Sequence, residues 1–503
     1  MTDQTGKLLA QVGFLLIVFS GVWAVLGGLF SPLTALAAVP TEPDYRVIDK
    51  YVSDQMAGVP GLSLGIVHGD QVTHTRGFGL TTGGGLAVTP GTPFLIGSIA
   101  KSFTALATAQ LVESGKVDFD APVQTYLPWF TVSDPKASAR ITVRHLLNQT
   151  SGLPVANPAL PLPSMEGRVR ELAQTKLNGQ PGTRFEYSND NFVTLGVIIE
   201  TVSGQSYGDY VRQHIYTPLD MRRSFTSDTE ARGADPAKGH TWWFGASVRD
   251  DSGNSDFQAS GRLISTAEDM SHYMIAQLNG GRYQGRSVVK AELIEEMHQG
   301  AATEAGGGKY AMGWSQIRFH EVDTVQHNGS NFNFHANLIM VPSSGWGVVV
   351  LANADSLPAV LAQPVDNIAA GVVDLVSGRA PDFSLSPIGL YAALDLLLGA
   401  VIAFQLWSIV RVLRSRRLRG AEGAGQIARR VVWPVLWRLS VAALCVGFVV
   451  LEAILFGAPL TDAVATDVGA GFLVVALVFA ASGIVRLVHI VRRLGAPNTG
   501  PPR

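Results

Sequence analysis

The sequence predicts an α+β fold with transmembrane helices at its C-terminal end, on three observations. Hairpin-like strand pairs stand near both ends of residues 38–376, helical periodicity fills the stretch between them, and long apolar runs flank the whole. Strands from the two ends of one domain, with helices between, imply a single antiparallel sheet built from the termini and flanked by helices.

The first strand pair occupies residues 62–79, two β-patterned runs joined at His68-Gly69-Asp70, a hairpin turn signal. The last pair, 332–341 and 346–353, flanks Pro342-Ser-Ser-Gly345. Apolar residues recur at helical spacing in 98–114, 143–147, 192–202, 207–216, 266–278 and 290–297. A Pro/Ser/Gly-rich linker, 377–387, comes next.

Residues 8–30 form an apolar run behind Lys7, and Ala35-Leu36-Ala37 offers small residues for a signal peptidase. Residues 1–37 are thus a signal peptide or an uncleaved anchor, and either one exports the domain behind it. Within 388–493, three runs at 388–410, 435–456 and 468–485 approach the roughly 20 residues a bilayer crossing needs. The loop 411–430 carries seven arginines, whereas 457–467 carries none. The positive-inside rule then puts the arginine loop and the C-terminus in the cytoplasm and residues 38–376 outside, on a multi-pass membrane protein. Asp395, Arg438, Glu452 and Asp467 lie in or near the spans and are read as snorkelling or pairing residues.

A net charge of −2 gives no general attraction to nucleic acid. Cys445 is the only cysteine and sits in an apolar run, so neither a disulfide nor a Cys/His zinc site is expected, and no cofactor is implied. The expected partners are the lipid bilayer and a small-molecule, peptide or ester substrate.

Segment 98–114 holds the chemistry. From Ile99 to Val112 only Lys101 carries a charge, and apolar residues cover every face, which marks a buried helix. A buried ammonium must be matched or neutral. Ser98, three residues earlier, lies on the same face. Ser-x-x-Lys occurs three times, but Ser133-Asp-Pro-Lys136 contains a proline, and Ser287-Val-Val-Lys290 leads into a charged surface helix. Only Ser98 opens a buried helix, where unpaired N–H groups favour developing negative charge. A serine nucleophile needs a base, and lysine is one only when neutral. Lowering its pKa from about 10.4 to near 7 takes roughly 4–5 kcal/mol, within the reach of desolvation. A salt-bridged lysine beside a capping serine is the alternative.

Tyr187-Ser-Asn189 is the only Tyr-x-Asn among eleven tyrosines. A phenol beside a lysine relays protons, and Asn189 can donate to a substrate carbonyl. An ordinary loop tyrosine capping the helix at 192 is the alternative. His327-Asn328-Gly329-Ser330 precedes the final hairpin. Gly329, expected at the start of an edge strand, would let a substrate backbone approach, and the Ser330 and Ser98 N–H groups would form an oxyanion hole.

Ser98-x-x-Lys101, Tyr187-x-Asn189 and His327-x-Gly329, in that order, resemble the serine β-lactamase and penicillin-binding-protein superfamily, within it the class C-like serine hydrolases. Residues 141–153, Thr217-Pro-Leu-Asp-Met221 and 263–270 support the resemblance, which spans about 45–375. It implies a serine β-lactamase/DD-peptidase-like fold, a Ser98 acyl-enzyme, Lys101 and Tyr187 as the proton-transfer pair, and water as final acceptor. Two departures stand out. Gln149 replaces the family's histidine before Thr-Ser-Gly, and His327-Asn-Gly replaces Lys-Thr-Gly. A histidine of pKa about 6.5 is mostly neutral at pH 7. Weak carboxylate recognition is the consequence, favouring esters, amides or D-amino-acid peptides over β-lactams.

Gly204-Gln-Ser206-Tyr-Gly208 matches a nucleophile elbow, but helical spacing of Leu195, Ile198, Ile199 and Val202 makes Gly204 a C-cap and Ser206 an N-cap. A receptor slowly acylated by wall fragments or β-lactams is the alternative to a turnover enzyme.

Overall fold

The structure, a computed structural model, describes residues 43–155, 164–243, 245–250, 257–304, 306–320, 322–331, 333–355, 363–382, 387–414, 433–455 and 467–494. The predicted leader at 1–37 and most of the arginine loop lie outside these residues.

The main sheet has eight strands: β1 (Gly61–His68), β2 (Gln71–Gly79), β3 (Ala302–Thr303), β4 (Lys309–Tyr310), β5 (Ser315–Phe319), β6 (Val322–Ser330), β7 (His335–Val341) and β8 (Trp346–Ala352). Their order is β2-β1-β8-β7-β6-β5-β4-β3, every pairing antiparallel. The first strand pair therefore joins the last, Leu62 opposite Ala352 and His68 opposite Trp346, as the sequence predicts. Gly69 takes φ +62° in the tight turn between β1 and β2.

Alternation along β7 and β8 divides the core. Leu338, Met340, Val349 and Leu351 face a large helical layer. Ile339, Val341, Val348 and Val350 face α1 (Tyr45–Gln55) and the long helix Pro364–Val376. Each such side chain is at most 4% exposed, and burying one contributes roughly 1.5–3 kcal/mol. A one-residue slip would exchange the two faces, so burial on both sides locks the register.

Within the helical layer lie α2 (Ala100–Glu113), α3 (Asn189–Ser203), α4 (Tyr207–Val211), α5 (Ala267–Leu278) and α6 (Ala291–His298). The Pro364–Val376 helix is α7. Gly204 ends α3 in the left-handed region at φ +71°, and Ser206 caps α4 by accepting from the Asp209 N–H at 3.1 Å. Ser206 is thereby a helix cap and no elbow nucleophile.

Two sequence expectations are corrected. The strand expected from 332 begins at His335, because Asn331 closes a turn by donating its N–H to Phe334 O at 3.0 Å. Gly329 lies at the end of β6, an interior strand, and not at the start of an edge strand. Edge character survives locally, since β5 pairs with β6 only as far as Gln326, while β7 continues to Ser330.

The C-terminal block forms α8 (Pro387–Arg414), α9 (Trp433–Leu455) and α10 (Asp467–Leu494). Two of these are long and apolar enough to cross a membrane, over Tyr391–Arg411 and Gly469–Val488. In the third, α9, the apolar stretch among the described residues is Trp433–Gly447.

Candidate active site

A 3₁₀ turn, Gly97–Ile99, feeds into α2 and sets Ser98 at its threshold. Ser98 does not cap the helix; no side chain does. Lys101, one turn on, is fully buried, because α2 runs through the helical layer with apolar contacts on every side. Its Nζ lies 2.9 Å from Ser98 Oγ and donates to the Ser260 carbonyl at 2.5 Å. The Tyr187 ring centroid is 4.9 Å from the same nitrogen and that of Phe192 is 5.9 Å away. Serine, amine and phenol ring thus share one small volume.

Tyr187 and Asn189 bracket the start of α3, whose N-cap is Ser188. Gln149, held at φ +56°, orders this turn: its Oε1 accepts from the Ser188 N–H at 2.9 Å and from Asn191 Nδ2 at 2.5 Å. The residue that departs from the family pattern therefore secures the Tyr187 loop.

From the opposite wall comes the end of β6. Its backbone crosses the 3₁₀ turn so closely that a Cβ on Gly329 would strike Ile96 O and lie 2.9 Å from Ser98 N. A Cβ on Gly97 would lie 2.9 Å from Ser330 N. Both amides assigned to the predicted oxyanion hole sit at this crossing. Gly97 adopts φ +55°, a region L side chains rarely enter.

His327 is buried two residues before Gly329. Its Nδ1 lies 2.5 Å from the Asn328 carbonyl, which can only accept, so Nδ1 carries the proton. Nε2 then accepts from Tyr310 O–H at 3.3 Å. Burial, and next the Lys101 charge, push its pKa down to about 3, against the pull of the Asn328 carbonyl. His327 is a neutral ring at physiological pH.

Behind β6 lies a polar network. Ser330 Oγ donates to Asp355, whose carboxylate is 3.3 Å from His335 Nδ1. His335 Nε2 meets Asp366 of α7 at 3.0 Å, and Asn337 Nδ2 donates to the same Asp366 oxygen at 2.5 Å. Asn328 Nδ2 reaches Asp366 Oδ2 at 3.4 Å. Burial opposes charge on His335, but the two carboxylates outweigh it and raise its pKa well above the ordinary value. Burial likewise works against the Asp366 carboxylate, but the His335 charge together with the hydrogen bonds from His335, Asn337 and Asn328 holds its pKa below the ordinary value.

The structure brings Ser98, Lys101, Tyr187, His327, Gly329 and Ser330 to one place, with Asn189 two residues from Tyr187 on the first turn of α3. Sequence reasoning missed the Ser260 carbonyl, Tyr310 and the His335 network, and it noted Gln149 only as a departure from the family pattern. His335 and Asn337 did leave a trace, as polar residues on one face of an otherwise apolar strand.

A family profile described as Beta-lactamase matches residues 48–371. The chain belongs to the beta-lactamase family. This family of serine hydrolases includes relatives of modest similarity. Protein flp of Staphylococcus aureus (strain MW2) is 29% identical over 319 residues, 60% of this chain and 61% of that protein. The chain thus spans under two thirds of that relative's length. The unguisins hydrolase ungD' of Aspergillus campestris is 27% identical over 339 residues, 62% of each chain. Among solved structures, the octameric penicillin-binding protein homologue from Pyrococcus abyssi superposes with a TM-score of 0.60 at 30% identity, covering 68% of this chain and 79% of that one. D-alanine carboxypeptidase AmpC from Burkholderia cenocepacia gives 0.55 at 22% identity, over 65% of this chain and 99% of that one, a likeness of fold. The beta-lactamase-family region thus coincides with the sheet and the helical layer, and the C-terminal helices lie outside it.

Proposed function

We propose that this beta-lactamase-family protein is a membrane-anchored, extracytoplasmic serine hydrolase. It acts through a Ser98 acyl-enzyme on an amide or ester bond, in a D-amino-acid peptide, a cell-wall fragment or an ester, with weak or no β-lactam turnover. The observation that carries this reading is the 2.9 Å contact between the buried Lys101 amine and Ser98 Oγ. In its neutral form Lys101 accepts the Oγ proton as Oγ attacks the acyl carbon. Tyr187, over the same nitrogen, relays the proton to the leaving group. The Ser98 and Ser330 N–H groups hold the oxyanion, and Asn189 orients the substrate carbonyl. Water then cleaves the acyl-enzyme by the reverse proton path.

The substrate preference rests on His327. A neutral ring and the Asn328 amide offer a carboxylate neither the cation nor the hydroxyl of Lys-Thr-Gly. The names of relatives are compatible with this class: one is a hydrolase of unguisins and another a D-alanine carboxypeptidase. The domain layout read from sequence, with residues 38–376 outside and 388–493 in the bilayer, is part of the proposal. A panel of ester, D-Ala-D-Ala and β-lactam substrates, run on wild type and Ser98→Ala, tests it. Hydrolysis of an ester or D-Ala-D-Ala substrate that vanishes in Ser98→Ala supports the reading; hydrolysis surviving that substitution refutes it.

A further inference from the structure

The three C-terminal helices meet around arginines. Arg438 of α9 is 8% exposed. Its Nε donates to Ser482 Oγ of α10 at 3.0 Å, its Nη1 to Pro434 O at 2.9 Å and its Nη2 to Ser408 Oγ of α8 at 3.1 Å. From α10, Arg486 Nη2 donates to that same Ser408 oxygen. Two guanidinium groups therefore converge on one neutral hydroxyl. A third, Arg411, stands over the Trp407 ring at 5.1 Å and is within Coulombic reach of Arg486.

Among the described residues, every hydrogen-bond partner of Arg438 and Arg486 is a hydroxyl or a backbone carbonyl. Arg486 Nε is buried and makes no hydrogen bond. Like charges packed together in a low-dielectric setting repel strongly unless a counter-charge joins them. Paired guanidinium forks suit a group with several acceptor oxygens, and phosphate supplies them.

The location narrows the source. Ser408 and Arg411 are near the end of α8, Arg438 near the start of α9 and Arg486 near the end of α10, all at the end that joins the arginine-rich loop. Trp407, Trp433 and Trp437 are exposed at this same end. Exposed tryptophans and arginines together are the signature of headgroup depth.

We propose that Arg438 and Arg486, meeting at Ser408, form a binding site for a phosphate group, filled in the membrane by the headgroup of an anionic lipid. The inference rests on the membrane-anchored reading given above. The site ties all three helices through one ligand, so lipid binding stabilises the block that anchors the exported domain.

The test uses the full chain, extracted in detergent, delipidated and examined by native mass spectrometry with phosphatidylglycerol, phosphatidylcholine or inorganic phosphate. The wild type is expected to hold one phosphatidylglycerol at roughly ten times the occupancy of phosphatidylcholine. Arg438→Gln/Arg486→Gln should lose that preference, and Arg438→Lys/Arg486→Lys should keep part of it. Fluorophosphonate labelling of each variant checks that the exported domain is folded. Stabilisation by inorganic phosphate alone, lost in the glutamine variant, would uphold the phosphate site and assign it to a soluble anion. Equal binding of both lipids, or a preference that survives the glutamine variant, overturns the inference. Carbonate extraction of native membranes separates the two failures: a chain released by carbonate refutes the anchored reading, whereas an integral chain with no lipid preference refutes only the site.

Discussion

Gly97 and Gly329 cross backbone to backbone, with no room for a Cβ on either. A methyl on Gly97 would come within 2.7 Å of the Gly329 carbonyl carbon, and one on Gly329 would strike Ile96 O. The contact holds β6 against the turn that carries Ser98, so the two proposed oxyanion donors depend on it. Gly329→Ala is expected to lower kcat/KM about 10²–10³-fold, the usual effect of losing one such donor, and to cost about 1–3 kcal/mol of stability through overpacking. Steady-state kinetics and thermal unfolding on the same preparation would measure both. Unchanged kcat/KM would detach β6 from the chemistry.

Tyr187→Phe should keep the ring packed against Lys101 and Tyr310 while removing only the hydroxyl. The expected outcome is a fall in kcat of about 10²–10⁴, typical for a lost acid–base group, with little change in Tm. A variant as active as wild type would remove Tyr187 from the proton path.

His327 bears on specificity and on pH dependence. With its pKa pushed down to about 3, it contributes no ionisation between pH 5 and 8, so the pH profile of His327→Asn should lose no limb in that range. A charge-assisted grip on a substrate carboxylate is worth about 1.5–3 kcal/mol, or roughly 10–100-fold. Nitrocefin turnover is therefore expected to trail the best ester substrate by at least about that factor. Nitrocefin kinetics rivalling those of dedicated resistance enzymes would contradict this.

His335 gives a stability signature. Its folded-state pKa is raised, so its contribution is complete below the unfolded value of about 6.5 and fades as pH rises through the folded value. Asp366 is lowered, so its half is present above about 3.9 and is lost as pH falls through its folded value. The pair is at full strength between about pH 4 and 6.5. At pH 6, His335→Gln should cost about 3–5 kcal/mol, because a buried carboxylate loses its counter-charge, and the gap to wild type should narrow in strong alkali. Chemical denaturation across pH would measure it. A gap that widens with pH would show that the ring folds neutral.

Legibility in the sequence followed distance along the chain. Ser98 and Lys101 are three residues apart on one helical turn, and the apolar surroundings of the lysine are written in the same segment. The Gly204 and Ser206 caps are equally local. The short strands β3 and β4 are two residues each, too short to carry a readable alternation. The register that brings Tyr310 to His327, and Asp366 across to His335, is set by tertiary packing between remote elements. Ser260 contributes a backbone carbonyl, and no residue type signals that.

Ser98 Oγ is, on this reading, the atom that forms the covalent bond. Intact-mass analysis after fluorophosphonate treatment of wild type, Ser98→Ala and Ser206→Ala, repeated through time with an ester substrate as well, tests this most directly. One phosphonyl adduct on wild type and Ser206→Ala, none on Ser98→Ala, and a short-lived acyl adduct from the ester is the predicted result. An adduct that persists on Ser98→Ala would contradict the assignment, and an acyl adduct on wild type lasting hours would replace turnover with slow acylation.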